Sequence, residues 1–347
     1  MIIVIVLLFI LVLFLGLMKL KRMPAIPVLK YHHVNNNPKD AITVSPELFE
    51  EQIKSLKKLG YKSIFLSELK NAIHGAERAV AITFDDGFFD NYKFAFPILK
   101  KHHFKATIFL NTHFIKEENE NNEQKIVQDD FKHAVLQDDF SGFLNWAEIK
   151  EMARSGLVEF EPHTHYHRYR FKNSRIKSKV ISPEKLDFKL ISCFDERPGK
   201  GDLIYEAGAS LITRAFNPKT GRTESREEYE KRISDEIKLS KDVIEQKLNK
   251  TCRYLAWPWG LFNGSCISAA KKLGFKLCLT TFYGSNHFMT GRFKIKRFTP
   301  NDDLEQFPEE ILRNSYLLSS MCIDNKLYNL LCRRFIKNKL KGILKNG

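Results

Sequence analysis

AVAITFDDGFFDNY, residues 79–92, joins a short apolar run to two adjacent carboxylates. Ala79 to Ile82 have the length and composition of a buried strand. The run ends at Asp85 and Asp86, then Gly87, Phe88 and Phe89 follow. Strand ends of this kind are where α/β folds place ligands. Neighbouring residues on a strand point in different directions, so two adjacent carboxylates can do different jobs. Asp-Gly is also ordinary turn chemistry, and a plain turn is the competing reading.

Working outward, short apolar strands alternate with amphipathic helices. VLKYHHV (28–34) reads as a strand. In the next segment Phe49, Ile53, Leu56 and Leu59 recur at helical spacing, and Gly60 marks the stop. YKSIFLSEL (61–69) reads as strand then helix, and NYKFAFPILKKHHF (91–104) as a helix that Pro97 kinks or breaks. KATIFLNT (105–112) is a strand. NWAEIKEMARSGLVEFEPHTHYH (145–167) is a helix then a strand, and 233–250 a helix. RYLAWPWG (253–260) is a strand and turn, 266–281 a helix then a strand, and FKIKRFTP (293–300) the last strand. This alternation predicts an α/β fold with a largely parallel sheet or barrel. Two polar stretches, about 116–141 and 168–235, interrupt it and read as insertions.

The chain has 347 residues and a net charge of +15, which favours an anionic neighbour without naming one. No recognition motif supports nucleic acid, and much of the charge lies in the insertions and the tail. Six scattered cysteines form no CxxC pair, so neither a thiolate zinc site nor a disulfide framework is predicted. Residues 1–18, MIIVIVLLFILVLFLGLM, carry no charged side chain. At helical rise they reach roughly 27 Å, enough to span a bilayer core. With no basic segment before the run and no small-residue cleavage site after it, a single-pass transmembrane anchor is expected rather than a signal peptide. Lys19, Lys21 and Arg22 follow the span, which by the positive-inside rule leaves the rest of the chain in the cytoplasm. The basic tail from Asn325 to Lys345 has apolar residues near helical spacing (Leu327, Leu330, Leu331, Phe335, Leu340, Leu344). It reads either as a helix on an anionic membrane surface or as a solvated helix with one packed face.

Three further clusters carry chemistry. EPHTHYH (161–167) places His163, His165 and His167 within five positions. Extended backbone puts all three on one face, whereas a helix would align His163 with His167. Neutral imidazoles are common metal ligands, and two of them with one carboxylate leave coordination positions open for catalysis. In YHHV, His32 or His33 is a candidate general acid or base, with plain packing as the alternative. In WPWG (257–260), two tryptophans around Pro258 suggest a sugar-stacking wall or a rigid turn.

Taken in order, TFDDG, HTHYH and AWPWG resemble the three successive motifs of the polysaccharide deacetylases (NodB-homology, carbohydrate esterase family 4). His163, Thr164 and His167 match the second motif, His-Ser/Thr-x-x-His. The early YHHV resembles the subgroup that modifies poly-N-acetylglucosamine, in which an N-terminal histidine motif replaces the C-terminal one. The similarity runs from about Val28 to Pro300, apart from the insertions, within a catalytic domain set at 24–305 with 306–347 as tail. The resemblance implies a distorted (β/α)7-type barrel and metal-dependent N-deacetylation. It implies Asp86, His163 and His167 as ligands of a divalent metal: zinc, or else cobalt, nickel or manganese. It implies Asp85 as general base, His32 as general acid with His33 the weaker candidate, and the Trp259 N–H, on the Pro258 turn, at the oxyanion. Ala256 and Trp257 stand where many members carry an arginine, so Arg297 or Arg253 is left to orient the base. His165 has no assigned role, and no C-terminal Leu-x-x-His motif is apparent.

The expected activity is hydrolysis of N-acetyl groups on a surface polysaccharide, peptidoglycan or lipid-linked glycan, with the enzyme anchored in a bacterial inner membrane. The resemblance points the catalytic domain outward and the flanking charge points it inward. A glycan-binding pseudoenzyme is the alternative, against which the intact Asp/Asp/His/His set argues. A glycosyltransferase with an Asp-x-Asp-like metal site is the third reading, and no phosphate-cradling Gly-rich loop supports it.

Overall fold

The computed structural model describes residues 2–37, 41–75, 77–117, 125–126, 129–317, 319, 328–329 and 331–346. Its centre is a parallel sheet. Strand Ala79–Phe84, buried at every position, pairs with Val28–Tyr31 on one side, and with Ala106–Leu110 and the short Lys62–Ser63 on the other. Ala106–Leu110 in turn pairs with Val158–Pro162. A second parallel pair joins Tyr254–Ala256 to Leu277–Leu279. Single bridges from Leu279 to Ile295 and from Leu29 to Phe298 tie it back to the first strand.

The barrel implied by the resemblance is therefore not closed by a continuous ladder among the described residues. Between Val158–Pro162 and Tyr254–Ala256, side chains make the seam. The Glu161 carboxylate accepts from the backbone N–H groups of Arg253 and Tyr254 at 2.9 and 3.0 Å and from Lys250 Nζ at 2.8 Å. These bonds satisfy a carboxylate that is 1% exposed.

Alternation along the strands sorts the two faces. Val28, Ala79, Ala81, Phe109, Ala256, Leu279 and Ile295 pack together on the inner face. Leu29, Tyr31, Val80, Ile82, Phe84 and Ile108 pack outward against helices. One of these helices is Pro46–Lys58, capped by Ser45, whose Oγ accepts from the Leu48 N–H; it buries the Phe49, Ile53 and Leu56 stripe. Residues 91–102 of the predicted 91–104 are helical. The irregularity lies before the proline: Asn91–Ala95 winds as a π-turn, and Phe96–His102 then begins with Pro97 in its first turn, where the missing N–H costs nothing.

Both insertions differ from their predicted outlines. The first contains a helix, Asp130–Gln137. The second is a long antiparallel hairpin, Tyr169–Lys179 with Leu203–Ala209, with a small core of Phe171, Val180, Cys193, Ile204 and Phe216. It ends at Ser225, earlier than the expected 235. Ser225 and Glu228 form a capping box that starts the Arg226–Leu248 helix.

The N-terminal run forms a helix, Ile2–Arg22. The transmembrane anchor expected of residues 1–18 is not found: among the described residues no helix is long and apolar enough to cross a membrane. In the tail, helix Arg333–Asn346 turns Ile336, Leu340 and Ile343 onto the domain, so this face is packed and unavailable to a bilayer. Leu327, Leu330 and Cys322 lie outside the described residues.

Candidate active site

Asp85 and Thr83 lie on the inner face at the C-terminal end of the Ala79–Phe84 strand, as do Ile295 and Arg297 of the last segment. The guanidinium of Arg297 grips Asp85 in a fork: Nη1 donates to Oδ1 at 2.6 Å and Nη2 to Oδ2 at 2.9 Å. Arg297 Nε donates to the Thr280 carbonyl at 3.0 Å, and Nη1 also lies 3.3 Å from Thr83 Oγ1. Both charges are buried, which is tolerable because the geometry is bidentate and Nε and Nη1 have further acceptors. Burial pushes the Asp85 carboxyl up, but Arg297, followed by His163 and His32, reverses this and holds it well below the usual carboxylate range. Asp85 is therefore ionised. Arg253 is exposed, and its backbone N–H donates to Glu161 while its carbonyl accepts from the Lys276 N–H, so of the two arginines the sequence left open, Arg297 is the one at the site.

Asp86 turns the other way because its backbone is left-handed, with φ 76°. Its Oδ1 accepts from Asn111 Nδ2 at 2.8 Å and faces His163 Nε2 and His167 Nε2, each at 3.6 Å. His163 Nδ1 lies 2.9 Å from the Ala256 carbonyl. A carbonyl can only accept, so Nδ1 carries the proton and Nε2 presents its lone pair towards Asp86. Thr164 (φ 72°) and His167 (φ 44°) are left-handed too, and these turns set the i and i+4 histidines side by side. The same turns swing His165 away, where its Nδ1 meets Thr112 Oγ1 at 2.8 Å.

One ligand atom from each of Asp86, His163 and His167 lies within 4.8 Å of the others, and all three residues are buried. Burial holds the His163 imidazole down to about 4 and His167 well below its ordinary value, so both stay neutral. Burial, then the charge of Asp85, pushes Asp86 up to about 7. Asp85 has a permanent cationic partner and Asp86 has an amide. Two neutral imidazoles and a carboxylate short of positive charge fit a divalent metal such as zinc.

The adjacent histidines of YHHV part company. His32 Nε2 approaches Asp85 Oδ2 at 3.9 Å, and burial lowers the ring to about 3, so it rests neutral. His33 faces the opposite side: Nδ1 is 2.7 Å from Asp90, Nε2 3.6 Å from Asp130, and the ring stacks on Phe88 at 3.7 Å. The placement thus favours His32, the first of the two, and gives His33 a supporting position. Asn91 Nδ2 donates to the His32 carbonyl at 2.7 Å and to Asp90 Oδ1 at 2.9 Å, linking the two networks.

Residues 73–278 match the polysaccharide deacetylase family model, well over half of the chain. The chain belongs to the polysaccharide deacetylase family. The chain is 24% identical over 297 residues to the poly-beta-1,6-N-acetyl-D-glucosamine N-deacetylase of Escherichia coli (strain K12), which covers 82% of this chain and 38% of that protein. It is 28% identical over 237 residues to the protein of the same name from Staphylococcus aureus (strain MRSA252), covering 67% of this chain and 59% of that one. The chain thus spans less than two thirds of the length of these relatives. Two solved structures share the fold. The Streptococcus pyogenes deacetylase PplD in complex with acetate has a TM-score of 0.55 at 22% identity, covering 84% of this chain and 97% of that one. A de-N-acetylase from Aggregatibacter actinomycetemcomitans has a TM-score of 0.59 at 21% identity, covering 80% and 95%.

Within this deacetylase fold the Trp-Pro-Trp-Gly stretch forms one wall of the site. Pro258–Gly260 is a single tight turn in which Trp259 is left-handed at φ 54°. The Trp259 ring lies 4.1 Å from that of His167, and Tyr169 meets it edge-on at 4.7 Å. Gly260, at φ +71°, has no room for a side chain: a Cβ would sit 2.2 Å from Thr281 Oγ1 and 2.6 Å from its backbone nitrogen. Phe131, from the first insertion, stacks on the other side of His167 at 5.0 Å.

Some site residues went unnoticed in the sequence. Asn111 was findable, since it directly follows the Ala106–Leu110 strand. Lys30 was findable from period-two spacing with His32. Burial lowers its ammonium, against which Asp85 works. Phe131 and Tyr169 carried no signal, because each enters from an insertion.

Proposed function

We propose that this deacetylase-family chain is a metal-dependent hydrolase that removes N-acetyl groups from an N-acetylated glycan of the poly-N-acetylglucosamine type. The reading rests on one observation: an ionised carboxylate, Asp85, locked by Arg297 beside a buried Asp86, His163 and His167 triad that fits a divalent cation. A divalent metal held by Asp86, His163 and His167 would supply Lewis acidity for the attack of a water on the acetyl carbonyl. Asp85 orients that water and takes its proton at Oδ2. Held well below the usual carboxylate range, Asp85 retains a proton poorly and hands it on. His32 Nε2, 3.9 Å from Oδ2, receives it in the tautomer protonated at Nδ1 and delivers it to the departing amine. The Trp259 N–H is the expected donor to the oxygen that gains charge. Trp259 and Tyr169 form an aromatic wall against which a sugar ring can lie.

Although no described helix is long and apolar enough to cross a membrane, we propose that the N-terminal helix rests against a membrane surface. Ile5, Leu7, Leu8, Phe9, Ile10, Leu11, Val12 and Leu15 each leave half or more of their surface exposed, which an aqueous setting disfavours. A reporter fused at the C-terminus reads which side of the membrane carries the domain.

The activity is tested by acetate release from a panel of N-acetylated glycans, with zinc, cobalt, nickel or manganese supplied. Release that disappears with chelator supports the reading. No release from any glycan by the metal-loaded protein sinks it.

A further inference from the structure

We propose that Phe282, with Leu261 and Phe262, forms a second sugar-binding subsite that holds the glycan residue adjoining the one whose acetyl group is removed. The inference rests on the deacetylase reading and deepens it. These residues follow the C-terminal ends of Tyr254–Ala256 and Leu277–Leu279, the same ends that carry the candidate active site.

The shelf touches the catalytic apparatus at two points. Thr281 Oγ1 donates to the Trp259 carbonyl at 3.4 Å, so Phe282 is one residue from the aromatic wall. The Phe282 carbonyl accepts from the Arg297 backbone N–H at 3.0 Å, so it is also one bond from the residue that grips Asp85. A polymer whose reacting unit lies against Trp259 is carried past Phe282 on that side.

The shelf is exposed and also rigid. Phe282 is 53% exposed and Leu261 38%. The Phe282 ring centroid lies 6.1 Å from that of Phe262, which stacks at 5.8 Å on the fully buried Trp257. Phe262, anchored in this way, loses little freedom when a partner arrives. An aromatic face in water suits a sugar, whose C–H surface stacks while its hydroxyls remain hydrated. Lys294 Nζ, 5.8 Å from the Phe262 ring, puts a donor at the rim. A bare apolar partner would leave that ammonium unused.

The test uses the full chain, metal-loaded, with N-acetylglucosamine oligomers of one to six units. Wild-type KM falls as the oligomer lengthens. Phe282→Ala raises KM on the longer oligomers about fivefold, an effect that grows with length, and kcat moves less than KM. Phe282→Leu, which keeps the bulk without the ring, behaves like Phe282→Ala, and Phe282→Trp recovers the wild-type trend. Phe288→Ala, equally exposed at the opposite strand ends beside Tyr254, leaves KM unaltered. Equal KM for wild type and both Phe282 variants at every length overturns the subsite. If the wild type releases acetate from none of the oligomers, the deacetylase reading falls separately. Calorimetric titration with the hexamer then decides the shelf: weaker binding by Phe282→Ala upholds it, and equal binding overturns it.

Discussion

Arg297 and Asp85 lie 212 residues apart in sequence and meet through two nearly parallel hydrogen bonds of 2.6 and 2.9 Å. Both are buried, so each is the main compensation for the other's charge. Arg297→Met removes one partner and leaves Asp85 unpaired. We expect a stability loss of about 3–5 kcal/mol by chemical denaturation. Arg297→Lys keeps the charge but not the fork. It should melt nearer to wild type while kcat falls about a hundredfold and bound metal, measured by elemental analysis, stays unchanged.

The two carboxylates of the Asp-Asp pair should separate by experiment. Asp86→Ala removes the only carboxylate of the triad and should abolish stoichiometric metal binding. Asp85→Asn keeps the shape and the ligands, so metal content should remain while turnover falls a thousandfold or more. Calorimetry with zinc and an acetate-release assay check the two halves. Equal metal loss in both variants would contradict this division.

The pH response of the metal-free protein follows from Asp86, which folding raises from about 3.8 to about 7. The folded state therefore binds this proton more tightly than the unfolded state does. The resulting stabilisation is complete below about pH 4 and is lost as pH rises through 7. Glu161 and Asp130 are also raised, to about 7 and 8, so the comparison with Asp86→Asn isolates the effect. We expect the melting temperature of metal-free wild type to drop more between pH 5 and 8 than that of the variant. Zinc should restore the wild type above pH 7, because the ion replaces the proton.

Gly142 tests the contact between His33 and the first insertion. A Cβ at this position would fall 1.6 Å from Asp130 Oδ1, the carboxylate beside His33. Gly142→Ala should displace Asp130 and destabilise the fold by about 1–3 kcal/mol. Thermal denaturation checks the loss, and unchanged zinc affinity shows that it is local.

The sequence revealed the parts of the site that are local. Asp85, Asp86 and the His163/His167 pair stand at strand ends with chemistry that few core positions tolerate. The parallel α/β pattern was legible for the same reason, since fully buried strands read as apolar runs. The relationships the sequence did not settle are non-local. Nothing in FKIKRFTP distinguishes Arg297 from Arg253 as the partner of Asp85. The seam made by Glu161 in place of a ladder is invisible to periodicity. Left-handed turns at Asp86, Thr164, His167 and Trp259 break the alternation that would have put His165 beside its neighbours. Four such turns at non-glycine residues store strain at the site that the surrounding packing must hold.

The parallel bridge between Leu29 and Phe298 sets a condition on when the protein becomes whole. During synthesis, Asp85 leaves the ribosome long before Arg297. Until then its carboxylate has no guanidinium and must stay hydrated, so this strand end cannot be sealed. The expected last strand, 293–300, is reduced to two single bridges, and these form only when the C-terminal segment lies between Leu29 and Leu279. A nascent chain cut off after the family-matched segment, at residue 278, would hold its metal ligands yet remain open at the mouth. For this chain the catalytic centre is complete only once the segment carrying Arg297 has joined the sheet.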